Sequence, residues 1–396
     1  MTHPLVPKVV AALARDKNVL LYGPPGTGKT WLVSEVVAFL DSRDSSGGQP
    51  TLRTGATDQH FGTAPGSQIG EIPNNIAVEW VTFHQSYSYE EFIVGRRPKP
   101  EANGIVLEPH FGLLMTIAVQ IQQSDGPDAC LLIIDELNRA NTGQVFGEFI
   151  TLLDPDYRST VAGVPNGRAV RVRLPGIAYE NGLSEPIRML RGGGVYNLPE
   201  DWTFPEHVYV LATMNSVDKA ALPLDSALTR RFHRIEMRPS LQVLATHLSV
   251  NMDELEAKAV KVRATEQPSS SLTPEETAIL LLDRINAHIG ADMGEDFEIG
   301  HTLLWSLVAT EPADRWRELA RVWDRALLPQ ILERYAGRSD ALTELLKAEA
   351  GSLTTVAFRE RRLIGAETPF SGAIELVPLL SLQDAEAIAV LQNVAV

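Results

Sequence analysis

The chain has 396 residues, of which 44% are hydrophobic and 21% are charged, and its formal net charge is −15. This length predicts two or three domains of ordinary globular composition. The sequence contains no uncharged apolar run of about eighteen residues, so we expect no membrane span. Its N-terminus lacks the features of a secretory leader, so we expect no standard secretion signal. The single cysteine, Cys130, excludes an internal disulfide and favours a cytoplasmic location. A surface this acidic repels nucleic acid, so we expect contact with DNA only through a partner.

Hydrophobic periodicity predicts alternating helices and strands along the first 240 residues. The predicted elements are helix 4–16, strand 17–22, helix 31–40, strand 77–83, helix 111–123, strand 129–135, helix 142–154, strand 207–215 and a strand beginning at 233. Alternation of this kind is typical of an α/β fold in which helices cover both faces of a parallel sheet.

Changes in composition indicate where the domains and loops lie. Residues 41–75 are rich in Ser, Gly, Pro, Thr and Asp and predict a mobile surface loop, and glycines and prolines across 156–200 predict an inserted hairpin with long loops. Beyond about residue 240 the amphipathic segments 275–289 and 315–337 predict helices instead of strands. The expected domains are an α/β domain over 1–239, a smaller helical lid over 240–345, and a C-terminal extension of unassigned role over 346–396.

The segment GPPGTGKT matches the phosphate-binding pattern G-x-x-x-x-G-K-[ST] between a predicted strand and a predicted helix. Glycines let backbone N–H groups surround phosphate oxygens, Lys29 would reach the terminal phosphates, and Thr30 would offer its hydroxyl to Mg²⁺. The residues predicted to bind the nucleotide are Gly23, Pro24, Pro25, Gly26, Thr27, Gly28, Lys29 and Thr30. The alternative, a Gly/Pro turn without a ligand, is disfavoured by the complete pattern.

Polar residues follow two of the predicted buried strands. Asp135 is predicted to hold Mg²⁺ through a water molecule, and Glu136 to orient and activate the attacking water. Asn215 could contact the γ-phosphate or hold the water, because an amide both donates and accepts hydrogen bonds. A solvated helix start for the acidic pair and a simple turn at Asn215 are the alternatives. The phosphate-binding loop upstream favours the catalytic interpretation.

Other side chains are weaker candidates. Arg230 and Arg231 end a short predicted helix, and either of them, or Arg139, could stabilise charge on a phosphoryl group bound by a neighbouring subunit. Cys130 lies in an apolar strand and is predicted to pack in the core. The nine histidines lack ligand spacing, so no zinc site is expected. The aromatic segment 83–92 is equally consistent with a core position and with a position near the nucleotide or a subunit interface.

The chain resembles the McrB-type GTPases, the motor subunits of modified-cytosine-dependent restriction systems within the MoxR/dynein-like branch of AAA+ proteins. The resemblance covers roughly the first 340 residues and rests on these motifs: GPPGTGKT, VTFHQSYSYEEFIVGRRP, IIDELNRANTGQVFGEFITLLD, MNSVDKAALPLDSALTRRF, DFEIGHTLLW and LLPQILERYAG. It implies GTP in preference to ATP, Mg²⁺, a hexameric homo-oligomeric ring, and a nuclease partner of the McrC type through which DNA is contacted.

The resemblance also implies roles for individual residues. Asp218 completes an M-N-x-x-D signature, and His301 falls where this branch often places a residue near the nucleotide. Arg139, Arg230 and Arg231 would act across the subunit interface. Only 22 residues precede Gly23, so we do not expect the additional N-terminal domain with which some members of the family read modified DNA.

The favoured interpretation is therefore a ring motor that hydrolyses GTP in a restriction or defence complex. One alternative is a MoxR-like ATPase that remodels or activates a protein partner with the same catalytic residues. The other is an assembly scaffold that oligomerises when it binds nucleotide and hardly hydrolyses it, which an intact Glu136 disfavours.

Overall fold

A computed structural model of the protein describes residues 3–41, 53–54, 76–101, 104–123, 126–159, 168–190, 194–217, 224–265, 272–348, 352–362 and 369–396. Asp218 and most of the predicted loop at 41–75 lie outside these ranges. The chain forms two compact units. The first comprises Met1–Tyr22 and Lys29–Glu236, and the second comprises Gly23–Gly28 and Met237–Val396.

A parallel sheet forms the centre of the first unit. Its strands are β1 (Asn18–Gly23), β2 (Arg53–Thr54), β3 (Ile76–Thr82), β6 (Ala129–Asp135), β11 (Val208–Asn215) and β12 (His233–Glu236), in the spatial order β12-β1-β11-β6-β3-β2. The five longer strands match those predicted from the sequence to within a residue or two. The α/β fold with a parallel sheet is confirmed.

The central strand β6 is buried on both of its faces. Every side chain from Ala129 to Ile134 is at most 2% exposed, including Cys130, which packs in the core as predicted. This burial explains the uninterrupted apolar run of the strand, since a parallel strand covered by helices contacts apolar groups on both sides. Ile134 lies opposite Ala212 of β11, so β6 and β11 end at the same edge of the sheet.

The helices of the first unit are α1 (Val6–Asp16), α2 (Lys29–Asp41), α3 (Tyr89–Phe92), α4 (Leu113–Ile121), α5 (Thr142–Phe146) and α6 (Ser226–Thr229). The single helix predicted over 142–154 is wrong in detail. After α5 the chain forms a 3₁₀ segment, Gly147–Leu153. Gly147 has a φ of 50°, which lies outside the helical range, so the α-helix ends here. A Cβ added to this residue would lie 2.9 Å from the Tyr89 ring, so the position also lacks room for a side chain.

A second, smaller sheet lies between α3 and β11 in the sequence. Its strands, in the spatial order β10-β9-β5-β4, are β4 (Val94–Glu101), β5 (Gly104–Phe111), β9 (Ile187–Arg188) and β10 (Val195–Tyr196). A short hairpin, β7 (Tyr179–Glu180) with β8 (Leu183–Ser184), lies within the predicted 156–200 insertion. The β4–β5 hairpin was not predicted, because Pro98 and Pro100 argue against a strand. Both prolines are on the edge strand of this sheet, where a missing N–H is tolerated.

The buried guanidinium of Arg158 connects β1, β11 and the Gly147–Leu153 segment. It donates to the carbonyl oxygens of Leu152 at 2.7 Å, Val208 at 2.6 Å and Leu153 at 2.7 Å, and to Asn18 Oδ1 at 3.1 Å. The side chain is fully buried, and this burial lowers its pKa to about 10, so it remains charged at neutral pH. Arg158 therefore satisfies backbone oxygens that would otherwise be buried without donors.

The second unit is mainly helical. Its helices are α7 (Leu241–Leu248), α8 (Met252–Thr265), α9 (Pro274–Met293), α10 (Ser306–Ala309), α11 (Arg315–Val322), α12 (Leu328–Arg334), α13 (Ser339–Leu345) and α14 (Asp384–Ala395). The helix predicted over 315–337 is divided by a π-helical turn, Trp323–Leu327. Pro329 explains this turn, because it has no N–H and its ring would clash with the carbonyl four residues earlier.

The C-terminal residues pack into the core of this helical unit. Strands β13 (Phe358–Arg362) and β14 (Pro369–Leu376) form an antiparallel pair, and the chain then enters α14. Val390, Leu391 and Val394 of α14 are at most 1% exposed within the same apolar cluster as α9. The residues for which the sequence suggested no role thus complete the core of the lid.

Replacing Arg158 with leucine should destabilise the first unit by at least about 2 kcal/mol, because the carbonyls of Leu152 and Val208 would lose their donor in a buried position. The unfolding midpoint in urea measures this effect. Arg168→Leu is the matched control, since Arg168 forms an exposed ion pair with Asp156 and its loss should cost no more than about 1 kcal/mol. Equal midpoints for the two variants would contradict the assigned role.

Candidate active site

Two glycines in the loop between β1 and α2 adopt a left-handed backbone conformation. Gly26 and Gly28 have φ values of 78° and 85°, in the left-handed region that a Cβ disfavours. The Thr27 hydroxyl donates to the carbonyl oxygen of Pro24 at 3.0 Å and closes the loop. The loop leads into the N-terminus of α2, where the first N–H groups of a helix lack partners within the helix and can bind an anion.

Lys29 begins α2 and is largely buried, with 7% of its surface exposed. Burial lowers the pKa of its ammonium to about 8, while the nearby carboxylates of Glu136 and Asp135 act in the opposite direction. An anion bound beside Lys29 would stabilise the charged form further. The side chain therefore has the position and charge needed to bind a phosphate.

Asp135 and Glu136 contact the neighbouring strand β11 through Thr213. The Thr213 hydroxyl donates to Asp135 Oδ1 and accepts the backbone N–H of Glu136 at 3.3 Å. Sequence analysis missed Thr213. The signal for it was present: a polar residue in a buried apolar strand, two positions before Asn215 and therefore on the same face of β11.

The carboxylate of Glu136 is held by side chains on both of its oxygens. Asn215 Nδ2 donates to Oε1 at 2.9 Å, and Arg139 Nε lies 3.4 Å from Oε2. Asn138 in turn donates to the carbonyl oxygen of Asn215 at 2.9 Å. Glu136 also has a φ of 57°, a left-handed conformation that is uncommon for a residue with a side chain.

Thr30 and Asp135 offer the hard oxygen ligands that Mg²⁺ prefers. Thr30 is exposed at the start of α2. Oδ1 of Asp135 accepts a hydrogen bond from Thr213, while Oδ2 has no hydrogen bond within the described part of the chain. These residues fit an ion that keeps several water ligands. Among the described residues no group of three or more His, Cys, Asp or Glu could enclose a metal by itself.

The candidate arginines differ in their contacts. Arg139 lies against Glu136 of its own chain, which the sequence did not predict. Arg231 is half-buried and donates to the carbonyl oxygen of Ala227 at 2.6 Å, so its position is fixed by α6. Arg230 is exposed, and its side chain makes no hydrogen bond or ion pair with the described residues. Of the pair, Arg230 is the more exposed.

The aromatic segment 83–92 and His301 were also predicted as candidates, and their buried residues pack within the protein. Phe83 and Phe92 of the aromatic segment are at most 1% exposed, which places this part of the segment in the core. His301 in the second unit is 4% exposed, and its Nδ1 accepts the backbone N–H of Ser240 at 3.2 Å. Its neighbour Thr302, which sequence analysis did not single out, contacts the phosphate-binding loop.

A phosphate-binding loop before a helix, with an acidic pair and an asparagine at the ends of adjacent parallel strands, defines the P-loop nucleotide hydrolases of the AAA+ class. The sequence model of the AAA domain of the dynein-related subfamily matches residues 68–232, and that of the alpha-helical lid domain of McrB matches residues 277–343. The chain belongs to the McrB-like family of AAA+ proteins. The loop at 23–30 lies outside both matches and is assigned by its motif and backbone geometry.

Two curated relatives share this similarity. The Type IV methyl-directed restriction enzyme EcoKMcrB subunit of Escherichia coli (strain K12) is 26% identical over 332 residues, which cover 83% of this chain and 55% of the relative. The Type II restriction enzyme BsuMI component YdiS of Bacillus subtilis (strain 168) is 27% identical over 238 residues, covering 57% and 59%. The chain thus spans less than two thirds of the length of either relative.

A solved structure of a candidate ATPase from Cytophaga hutchinsonii matches 86% of this chain and 75% of its own at 13% identity. Its TM-score of 0.28 is too low to add to the assignment. As for a membrane location, none of the helices that the structure describes is both long and apolar enough to cross a bilayer.

Thr213→Val should lower the turnover of nucleoside triphosphate about 10- to 100-fold, the range typical of residues that orient a metal ligand. Valine keeps the shape of threonine but can neither hold Asp135 nor accept the Glu136 N–H. Steady-state hydrolysis with excess Mg²⁺ measures the effect, and Thr213→Ser is the control that should keep most of the activity. Equal turnover for the valine and serine variants would show that the hydroxyl has no such role.

Proposed function

We propose that this protein is a ring-forming motor that hydrolyses GTP, acts in a restriction or defence complex, and works with a nuclease subunit through which it contacts DNA. The observation that supports hydrolysis most directly is the carboxylate of Glu136, held by Asn215 and Arg139 near the buried ammonium of Lys29. The role in a restriction complex is supported by the similarity to restriction-enzyme subunits. The preference for GTP and the nuclease partner follow from the resemblance to the McrB-type GTPases. We place the protein in the cytoplasm, where its buried thiol stays reduced.

Hydrolysis in this proposal depends on positioning and on neutralising charge. Loop amides and Lys29 bind the phosphates, and the carboxylate of Glu136 orients the attacking water and accepts its proton. Each carboxylate oxygen has two lone pairs, so Glu136 can contact water while Asn215 and Arg139 hold it in place. Asn215 can also contact the γ-phosphate or the water through its amide.

Thr30 and Asp135 would hold the metal. When bound, Mg²⁺ neutralises the charge of the phosphate oxygens. Thr213 keeps the Asp135 carboxylate in one orientation, which reduces the cost of ordering the metal ligands when the nucleotide binds.

Arg230 is the residue that we assign to a neighbouring subunit's site. An arginine that stabilises transition-state charge in trans has to extend from the surface, and Arg230 does so while Arg231 is bound to its own helix. Contacts of this head-to-tail type close into rings, in keeping with the proposed hexamer. Arg139, which contacts Glu136 of its own chain, is assigned to its own site instead.

Hydrolysis of GTP and ATP, measured side by side with Mg²⁺ at several protein concentrations, tests the proposal. We expect faster turnover of GTP and a specific activity that rises with concentration, because each site needs a residue from a neighbouring subunit. A preference for ATP would overturn the nucleotide assignment and favour a MoxR-like ATPase that remodels a protein partner. Activity independent of concentration, in protein that stays monomeric, would contradict the shared site.

Mixing two inactive variants tests the position of Arg230. Arg230→Ala and Glu136→Gln should each lower turnover at least about 10³-fold, the scale of losing a trans arginine or a water-activating group. Mixed rings should regain activity, because some interfaces combine an intact Glu136 from one subunit with an intact Arg230 from its neighbour. Arg263→Ala, which removes an exposed ion pair with Asp283, is the control. Mixtures as inactive as their components would place Arg230 outside the neighbour's site.

A further inference from the structure

The carbonyl oxygen of Gly26, in the phosphate-binding loop, accepts two hydrogen bonds from Thr302. The backbone N–H of Thr302 donates at 3.0 Å and its hydroxyl at 2.8 Å. The two residues are 276 positions apart in the sequence, and both belong to the second compact unit. A Cβ added to Gly300 would lie 2.0 Å from the Gly26 carbonyl carbon, so the two backbones touch without room for a side chain.

This contact fixes the orientation of one peptide group of the loop. In a planar trans peptide the C=O and the following N–H point in opposite directions. With its oxygen held by Thr302, the Gly26–Thr27 peptide directs the N–H of Thr27 away from Thr302. The Thr27 hydroxyl is bound to the carbonyl oxygen of Pro24, so a rotation of the peptide would disturb the hydrogen bonds of both residues. The Thr27 N–H belongs to the group of amides with which such loops bind phosphate.

The segment that carries Thr302 is itself held by buried hydrogen bonds. Asn286 of α9 accepts the N–H of Ile299 at 2.7 Å and donates to the carbonyl oxygen of the same residue at 2.9 Å. His301 accepts the N–H of Ser240, which precedes α7. The Gly300–Thr302 segment is therefore fixed to two helices of the lid before any ligand binds.

We propose that Thr302 is a positioning residue for nucleotide binding, which fixes the orientation of the Gly26–Thr27 peptide within the phosphate-binding loop. The proposal rests on the proposed function in that the ligand is a nucleoside triphosphate. Without the two donors the peptide could adopt other orientations, and binding would have to overcome that freedom. Thr302 acts on affinity through the loop and takes no part in the chemical step.

Thr302→Val is the variant that tests the proposal. Valine removes the hydroxyl donor but keeps the backbone N–H and the methyl group that packs near Gly28. We expect the dissociation constant of a fluorescent, non-hydrolysable GTP analogue, titrated with Mg²⁺, to rise roughly 2- to 10-fold, which is the loss expected for one neutral hydrogen bond. KM should rise by a similar factor while kcat stays within about twofold, because the interaction is the same in the ground and transition states.

Two further variants separate this role from a structural one. Thr302→Ser keeps the hydroxyl and should bind nearly as well as the wild type. Thr310→Val removes a hydroxyl that donates to the carbonyl oxygen of Ser306, elsewhere in the lid, and should leave affinity unchanged. Unchanged affinity in Thr302→Val, equal loss in the serine and valine variants, or a fall in kcat alone would overturn the proposal.

The wild-type protein distinguishes a failure of this inference from a failure of the proposed function. Wild-type protein that binds neither the GTP analogue nor its ATP counterpart would overturn both. Wild-type protein that binds either analogue, while Thr302→Val binds it equally well, would overturn only the role of Thr302. The thermal shift that the analogue induces provides a second readout, because ligand stabilisation follows the dissociation constant.

Discussion

The register between β6 and β11 is the constraint on which the candidate active site depends. Ile134 lies opposite Ala212, so Asp135 at the end of β6 and Glu136 after it lie where β11 presents Thr213 and Asn215. A slip of one residue would move both polar side chains of β11 to the opposite face of the sheet. The buried apolar residues of the two strands oppose that slip, and the core of the first unit therefore determines the geometry of the candidate site.

The same register makes the unusual backbone of Glu136 possible. A residue with a side chain in the left-handed region costs on the order of 1–3 kcal/mol, and such a conformation persists only where its surroundings determine it. Here the N–H is bound by Thr213, and the carboxylate is bound by Asn215 and Arg139. The conformation gives two consecutive acidic residues different partners. In the proposed function, the carboxylate of Asp135 would hold the metal and that of Glu136 would hold the water.

Local signals predicted much of this arrangement. Strands 129–135 and 207–215 are continuous apolar runs that end in polar residues, and the phosphate-binding loop has a complete motif, so pattern and spacing were sufficient. Features that depend on residues far apart in the sequence were missed. Arg158 looks like a surface arginine in the sequence, and only the fold shows that it donates to the carbonyl oxygen of Val208, 50 residues away, and to the side chain of Asn18, 140 residues away. The β4–β5 hairpin was missed because its prolines are acceptable only on an edge strand.

The contact between Gly26 and Thr302 shows the limit of local reasoning most clearly. The glycines of the loop account for the φ angles that it adopts, but they permit many peptide orientations, because glycine is the least restricted residue. The same freedom that lets the loop surround a phosphate makes it expensive to order. Two donors from a residue 276 positions away reduce that freedom before a ligand arrives. The motif thus specifies what the loop can bind, while the lid contributes to how well it is prepared to bind.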